Sequence, residues 1–501
     1  MVDPIARPSE ATLAADPGRV IARLFLPGEE RPLEHSRAGA IVARVLAIPE
    51  VEVEGLVAQL LGDFSGRHQH YAALLADHAT MVGSHVQHAP EMSADRALLL
   101  GACFTAEYAV EAAALCNPSA VLHPDQSGLL TGQARIAVSL RGIGEGHVSS
   151  IGFATAVVGP GATWTFDPRV QPAVTAASTV AHWQREHLRA VLADHGLIDE
   201  LAYSVLASLP EAFTFPDLQA ALAGSHQDLR TRSAATATIA SLRLLVGSAY
   251  EVAFPDDVDL SQQVLLPSSD EESNGMEDAR FVRFVADDGA VEYRATYTAY
   301  DGRQIAPRLL TSPDLRIFRA HRLAGPAARN KGMALFPRLV GGRHLSLCRS
   351  DGECTSLTTS ADGFVWDEPE LIQAPEATWE MLQVGNCGPP IETDDGWLVL
   401  THGVGPMRTY AIGAILLDID QPTRVLRKLE RPLLQVGRDE RDGYVPNVVY
   451  SCGGVVHDGL LWLPYGIGDA RVGVAWASVD ELLAEMTPVT NHVANQVART
   501  R

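Results

Sequence analysis

A strand pattern that returns every fifty to sixty residues or so constrains this 501-residue chain more than any other feature. In each copy a small or apolar run ends in Ala, Thr or Leu, meets Ser, Thr or Asp, and turns. The copies are Ser150 to Thr155, Pro307 to Ser312, Ser356 to Ser360, Gly413 to Asp418 and Gly473 to Ser478. The last four keep the period. Each of these four follows a second strand signal: Val291 to Tyr297, His344 to Cys348, Gly396 to Leu400 and Leu460 to Tyr465. Turn residues punctuate the series at Asp287-Asp288-Gly289, Gly341-Gly342, Asp394-Asp395-Gly396 and Asp458-Gly459. Five copies with hairpin punctuation predict a mainly β chain built as a five-bladed β-propeller.

The gap between the first and second copies is about one hundred residues too long for the period. Its filler reads as helix: Val174 to Ala193 stopping at His195-Gly196, Asp217 to Leu222 after Pro216, and Ala234 to Val246. The N-terminal region also reads as helical, over Ala38 to Leu46, Val51 to Leu61, Tyr71 to Met81 and Ala94 to Leu115. The expected organisation is an N-terminal helical region (1–100), a first blade (101–165), a helical insertion (166–250), the remaining blades (251–490) and a C-terminal tail (491–501). The acidic, Ser-rich run Ser268 to Gly275 is expected to be a loop leading into the next strand.

Charge and composition narrow the function. Net charge is -22, and no Lys/Arg-rich run supplies the basic face a nucleic-acid binder needs. An anionic ligand would be repelled overall, so a phosphate site would need its own cluster of cations. The start, Met1 to Pro8, lacks a charged segment followed by an apolar core, and no apolar run reaches the ~18 residues that cross a bilayer. Six scattered cysteines fit neither a disulfide framework nor a zinc site and are expected as reduced thiols. The expectation is a cytoplasmic protein without membrane or nucleic-acid partners.

Two segments carry candidate chemistry. Gly275-Met276-Glu277-Asp278-Ala279-Arg280 sets two carboxylates beside an arginine at the entry to a strand. Such a pair is ordinarily a solvated turn. At a strand entry facing a propeller axis, however, neighbouring carboxylates are expected to raise each other's proton affinity, which suits Asp278 as a general acid. Asn330 to Pro337 sets Lys331 before an apolar run. Cations then recur at strand ends: Arg141, Arg308, Lys331, Arg349 and His402. Any one of them could be an ordinary surface residue. As a set they could converge on an axis and offer forks and point charges to phosphate. Asn117-Pro118-Ser119, His123 to Gly128, Arg141 and Ser149-Ser150 supply hydrogen-bonding groups of the kind a sugar subsite uses, or simply a capped turn. Gly142 to Gly146 is Gly-rich but lacks dinucleotide-binding spacing. There is no His-Glu-x-x-His, no Gly-x-Ser-x-Gly and no metal-ligand spacing.

These residues resemble glycoside hydrolase family 130, the β-mannoside phosphorylases and β-1,2-mannosidases with a five-bladed propeller. The likeness runs through Gly275 to Arg280, Thr298 to Gly302, Asn330 to Pro337, Gly388 to Ile391, Thr401 to Gly403, Gly413 to Asp418 and Val445 to Val449, and more weakly through Asn117 to Thr155. The N-terminal helices and the insertion fall outside it. The resemblance implies Asp278 as general acid, reaching the glycosidic oxygen through a sugar hydroxyl while phosphate attacks with inversion. It implies Arg308, Lys331, Arg349 and His402 around phosphate, and Asn117, Arg141, Ser150, Tyr300 and Tyr410 around sugar. Ala279 replaces the family's usual proline, Gly332 its usual aspartate, and Tyr444 stands where an acid is common.

The resulting expectation is an inverting phosphorylase that cleaves a β-mannoside to α-mannose 1-phosphate. It needs no cofactor and no metal; inorganic phosphate is the co-substrate and an oligosaccharide the partner. The alternatives are a β-mannoside hydrolase on the same scaffold, a carbohydrate-binding propeller without catalysis, and a glycosyltransferase running the reverse reaction. Helices flanking a propeller often close a site or form a subunit contact, which would make the chain a homo-oligomer.

Overall fold

In the computed structural model, the described residues are 5–27, 37–85, 92–230, 234–437 and 440–489. The chain is mainly β. Five antiparallel runs of four strands, called units below, can be followed through its sheets, the first two within one 11-stranded sheet. The first holds Ala114–Leu122, Ala134–Ile143, Ser149–Gly159 and Thr163–Phe166; the second holds Gly275–Val285, Val291–Tyr300, Ile305–Ser312 and Ile317–Arg322. The third holds Ala334–Leu335, His344–Cys348, Thr355–Ser360 and Glu370–Gln373; the fourth holds Gln383–Asn386, Gly396–Val404, Tyr410–Leu417 and Val425–Lys428. The fifth holds Val449–Tyr450, Leu460–Ile467 and Arg471–Ser478, with the N-terminal strand Arg7–Ala14 paired to its outer edge. The recurring pattern therefore marks the third strand of every unit.

Neighbouring units bury apolar faces against each other, which drives their association. Phe153 of the first unit meets Phe281 of the second, ring centroids 5.8 Å apart. Val282 and Leu309 of the second share a cluster with Met333 and Leu335, where the third begins. Phe336 and Trp397 join third and fourth at 5.0 Å. Leu398 and Ile412 of the fourth pack with Leu461 and Leu463 of the fifth. Trp462 of the fifth meets Trp164 of the first at 5.7 Å. Hydrogen bonds follow the same order. Phe281 N donates to Ser119 Oγ (3.1 Å), Val285 N to Pro337 O (2.8 Å), Val384 N to Glu353 O (2.9 Å), Tyr410 N to Asn447 O (3.0 Å) and Cys452 N to Pro118 O (2.8 Å).

The helical segments carry cores of their own. Helices Arg37–Ala47, Glu50–Phe64, Tyr71–His85 and Ala94–Cys103 gather Val42, Val53, Val82, Leu100 and Phe104. Between the first and second units, helices Arg185–Asp194, Glu200–Ser208, Phe215–Gly224 and Ala235–Gly247 gather Trp183, Leu188, Val205, Leu218 and Leu242. Local chemistry sets their ends. Asp199 caps Ala202 N at 2.8 Å, and Thr214 with Asp217 forms a capping box ahead of Pro216.

Three helical expectations need correction. Ala94 to Leu115 stops at Cys103; Thr105–Ala109 pairs with Val20–Leu24, and Ala114 and Leu115 open a strand buried on both faces, where a continuous apolar run mimics helix. The segment before Arg185 is extended, with Ser178–Val180 paired to Tyr250–Ala253. The N-terminal region also holds two strands, Arg7–Ala14 and Val20–Leu24; the first alternates partly buried and exposed positions without a strong apolar signal. The expected C-terminal tail, 491–501, lies outside the described residues. All six cysteines are free thiols. Among the described residues no helix is long and apolar enough to cross a membrane.

The first two units are joined by one parallel pair, Gly275 with Ser149. Gly275 has φ +144°, and a Cβ there would lie 2.8 Å from Ser149 N and Cβ. Gly275→Ala is therefore expected to cost about 2–3 kcal/mol through backbone strain and overpacking, read as a lower urea midpoint. Gly55, on an exposed helix face with open space at its Cβ position, gives the control: Gly55→Ala should leave the midpoint unchanged or raise it, by up to about 1 kcal/mol.

Candidate active site

The inner strands of the first and second units both carry a bulge. In Ala114–Leu122 the register shifts between Cys116 and Ser119, and Asn117 sits at φ +48°. In Gly275–Val285 it shifts between Glu277 and Arg280, and Asp278 sits at φ +55°. In a regular strand Glu277 and Asp278 would point to opposite faces. The bulge turns both towards one cation, as such irregularities re-aim side chains at functional sites. Arg141 Nη2 meets Glu277 Oε1 at 2.5 Å and Arg141 Nη1 meets Asp278 Oδ1 at 3.5 Å. Arg141 Nε also donates to Ser149 Oγ at 2.9 Å, which fixes the fork. Lys331 Nζ reaches the other Glu277 oxygen at 2.5 Å. Asn117 Nδ2 donates to Asp278 Oδ1.

Beneath Asp278 lies Arg280, 2% exposed. Its guanidinium donates to Asp278 O (2.9 Å), Cys387 O (2.9 Å) and the Tyr450 hydroxyl (2.8 Å). It ties the second unit to the fourth and fifth directly below the carboxylate.

Asp278 borders a cavity of about 510 Å³. Asn117, Arg141, Lys331, Arg349, His402 and Tyr410 line it as well, so these sequence candidates meet in one place. Three do not reach it. Arg308 is fully buried elsewhere, between Glu271 and Glu272 (3.6 and 3.4 Å), and donates to Ser269 Oγ and Ser248 O. Its side chain braces the loop ahead of the Asp278 strand, because two carboxylates already claim its charge. Ser150 pairs with Gly142 inside the first unit, and the neighbouring Ser149 makes the contact with Arg141. Tyr300 sits at the strand end opposite Gly275.

Burial and charge compete at the acid. Burial pushes the Asp278 carboxyl up, but Arg141, Lys331, Arg280 and the Asn117 hydrogen bond outweigh it and hold it down at about 2. This corrects the expectation that the Glu277–Asp278 pair would raise its proton affinity: the cations between them win. Burial, then Arg349 and Arg280, push His402 well below its usual range, leaving a neutral imidazole. Its Nε2 lies 3.1 Å from Arg349 Nη1. Arg349 Nε is buried without an acceptor, and no carboxylate among the described residues pairs with this guanidinium.

Several cavity residues escaped sequence reasoning. Asp469 sits in the hairpin between Leu460–Ile467 and Arg471–Ser478, with Oδ1 buried and unpartnered. Burial raises it to about 6, against the pull of Arg141. Its signal was a lone aspartate after Gly466-Ile467-Gly468, indistinguishable from a turn. Gln383, Asn447 and Tyr450 also line the cavity. Gly385 shapes it from outside: it pairs across the sheet with His402, and a Cβ there would lie 2.7 Å from His402 Cε1 and 3.3 Å from Arg349 Cδ.

The pair Arg349 and His402 thus presents donors with no protein anion to receive them, beside a carboxylate held by other cations. An uncompensated guanidinium attracts an external anion, and a phosphate oxygen suits its planar fork. Gly385→Ala is expected to push His402 and Arg349 apart and weaken inorganic phosphate binding roughly 10-fold, the worth of one charge-assisted hydrogen bond. Calorimetry would read this; an unchanged affinity would show that Arg349 is not an anion ligand.

Comparison with known proteins gives a consistent picture. A family model for glycoside hydrolase family 130, described as beta-1,4-mannooligosaccharide phosphorylase, matches residues 248–487. The 1,2-beta-oligomannan phosphorylase of Thermoanaerobacter sp. (strain X514) is 33% identical over 223 residues, 43% of this chain and 72% of that protein. The beta-1,2-mannobiose phosphorylase of the same organism is 33% identical over 216 residues, 42% of this chain and 70% of that protein. A solved beta-1,2-mannobiose phosphorylase from Listeria innocua, in complex with beta-1,2-mannobiose, aligns at 20% identity with a TM-score of 0.43, covering 75% of this chain and 92% of that one.

Proposed function

From the premise that the chain belongs to glycoside hydrolase family 130, we propose that it is an inverting phosphorylase that cleaves a β-mannoside with inorganic phosphate. A phosphate oxygen attacks the anomeric carbon, the bond from that carbon to the glycosidic oxygen breaks, and the leaving oxygen takes a proton originating at Asp278. The products are α-mannose 1-phosphate and the shortened saccharide. Relatives that carry phosphorylase names support the reaction class. The observation that favours phosphate over water is Arg349: its buried Nε has no acceptor, and among the described residues the only side chain hydrogen-bonded to it is the neutral His402. Water would leave that charge uncompensated. Lys331, shared with Glu277, supplies a second positive charge at the cavity.

Five units with five successive apolar contacts support the reading of a five-bladed propeller. In that reading 1–100 is an accessory helical region, 166–250 an insertion after the first blade (101–165), and 251–490 the remaining blades.

A proton donor held at about 2 is ionised at neutral pH, so the acid must be recharged. Phosphate dianion bound beside Lys331 and Arg349 offsets the cations that depress Asp278 and lifts its proton affinity. Substrate binding therefore assembles the acid. Phosphate is expected to raise the pH at which Asp278 titrates, read from its carboxyl carbon-13 shift with and without phosphate; an unchanged titration would contradict it.

One observation favours a second reading. Asp469, at about 6 and with an unpartnered oxygen, could serve as a base for water in a hydrolase. Mannobiose turnover with and without phosphate separates the two. The phosphorylase reading expects α-mannose 1-phosphate by phosphorus NMR and no cleavage without phosphate. Equal cleavage in its absence would establish hydrolysis. Arg349→Ala should raise the KM for phosphate roughly 10- to 100-fold, more than it changes mannobiose affinity, because it removes a charged ligand.

A further inference from the structure

The cavity changes character from floor to mouth. Asn117, Asp278 and His402 on the floor are 6%, 8% and 2% exposed. At the mouth the lining becomes Met407, Val445 and Pro446, with Met407 86% and Val445 40% exposed. Met407 and Arg408 form the turn between Gly396–Val404 and Tyr410–Leu417, both at positive φ (57° and 52°). Such a conformation is uncommon for residues other than glycine and concentrates at functional sites. It projects the thioether into solvent, where burial alone would never place it.

The apolar surface continues along the rim. Leu382 N donates to Val404 O, so Met381 and Leu382 run alongside this turn, and the next residue, Gln383, lines the cavity. Their exposures are 62% and 53%. Tyr444, next to the lining residue Val445, is held by His147, hydroxyl to Nδ1 at 2.9 Å. Among the described residues, Met407 and Val445 are exposed large apolar side chains that both line this opening, and the exposed Met381, Leu382 and Tyr444 stand within two residues of lining positions.

If Asp278 and the anion site bracket the scissile bond at the floor, the leaving half of the substrate must extend through this mouth. We propose that the leaving group this enzyme accepts includes an aliphatic chain, and that Met407, Val445 and Pro446 form its subsite. This rests on the phosphorylase reading and specifies its substrate class. Phosphate attacks the anomeric carbon, the glycosidic bond breaks, and the alcohol departs carrying the proton. A flexible methionine suits a chain of variable shape. Arg408, in the same turn, donates to the Tyr410 hydroxyl at 3.3 Å.

The test uses methyl, butyl and hexyl β-D-mannopyranosides, whose leaving alcohols differ little in reactivity, with saturating phosphate. Half-burying each methylene at the rim should raise kcat/KM about 2-fold, so hexyl should exceed methyl by about 10-fold or more. Met407→Ser combined with Val445→Ser should bring that ratio close to one; because both substrates are measured on one preparation, loss of folded enzyme cancels. A flat series in wild-type enzyme that still phosphorolyses mannobiose overturns the proposal alone. A flat series together with an oligomer that the double variant dissociates, seen by light scattering, overturns it in favour of a second copy covering the rim. Absence of phosphorolysis of every substrate would instead remove the reading beneath it.

Discussion

Everything at this site depends on how one bulged strand shares two cations between adjacent carboxylates. Arg141 grips both Glu277 and Asp278, and Lys331 holds the far oxygen of Glu277. Glu277 neutralises much of the local positive charge. What remains sets Asp278 low and keeps it in place. Without the bulge Glu277 would face away, and the cations would collapse onto Asp278 alone. The Asp278 carboxylate is thus defined less by its own surroundings than by the neighbour that competes for them.

That arrangement requires side chains from distant parts of the chain. Asn117 and Arg141 come from the first unit, Asp278 from the second, Lys331 and Arg349 from the third, His402 from the fourth and Asp469 from the fifth. Aromatic and aliphatic contacts between successive units bring them to one cavity. Arg280, bonded to the second, fourth and fifth units, links that assembly to the floor of the site.

Much of this was legible in the sequence because the strand pattern repeats itself. Strand pairs bounded by Asp-Gly turns carry a period, and strand-end residues such as Lys331, Arg349 and His402 can be proposed as a converging set. Arg308 looked equivalent on those grounds, but Glu271 and Glu272, more than thirty residues away, claim it. Nothing local distinguishes a strand-end arginine facing a cavity from one bracing a loop. Asp278 stands out as a candidate from its strand entry, but its proton affinity is not legible there, because it depends on Arg141 and Lys331 reaching it through space. Gly385 and Asp469 were invisible for a similar reason: one acts by the absence of a side chain, the other by burial. Ala114 and Leu115 read as helix because a strand buried on both faces loses the alternation that marks strands.

Inverting phosphorolysis at this site needs an anion held by Arg349 and Lys331 on one side of the sugar, and the Asp278 carboxyl on the other. A crystal structure with phosphate and mannobiose bound tests this most directly. Inverting phosphorolysis places the anion within hydrogen-bond distance of Arg349, below the anomeric carbon, with Asp278 directed at the opposite face. Sugar bound in the cavity with the anion away from Arg349, or Asp278 turned away from the sugar, would rule that reaction out here.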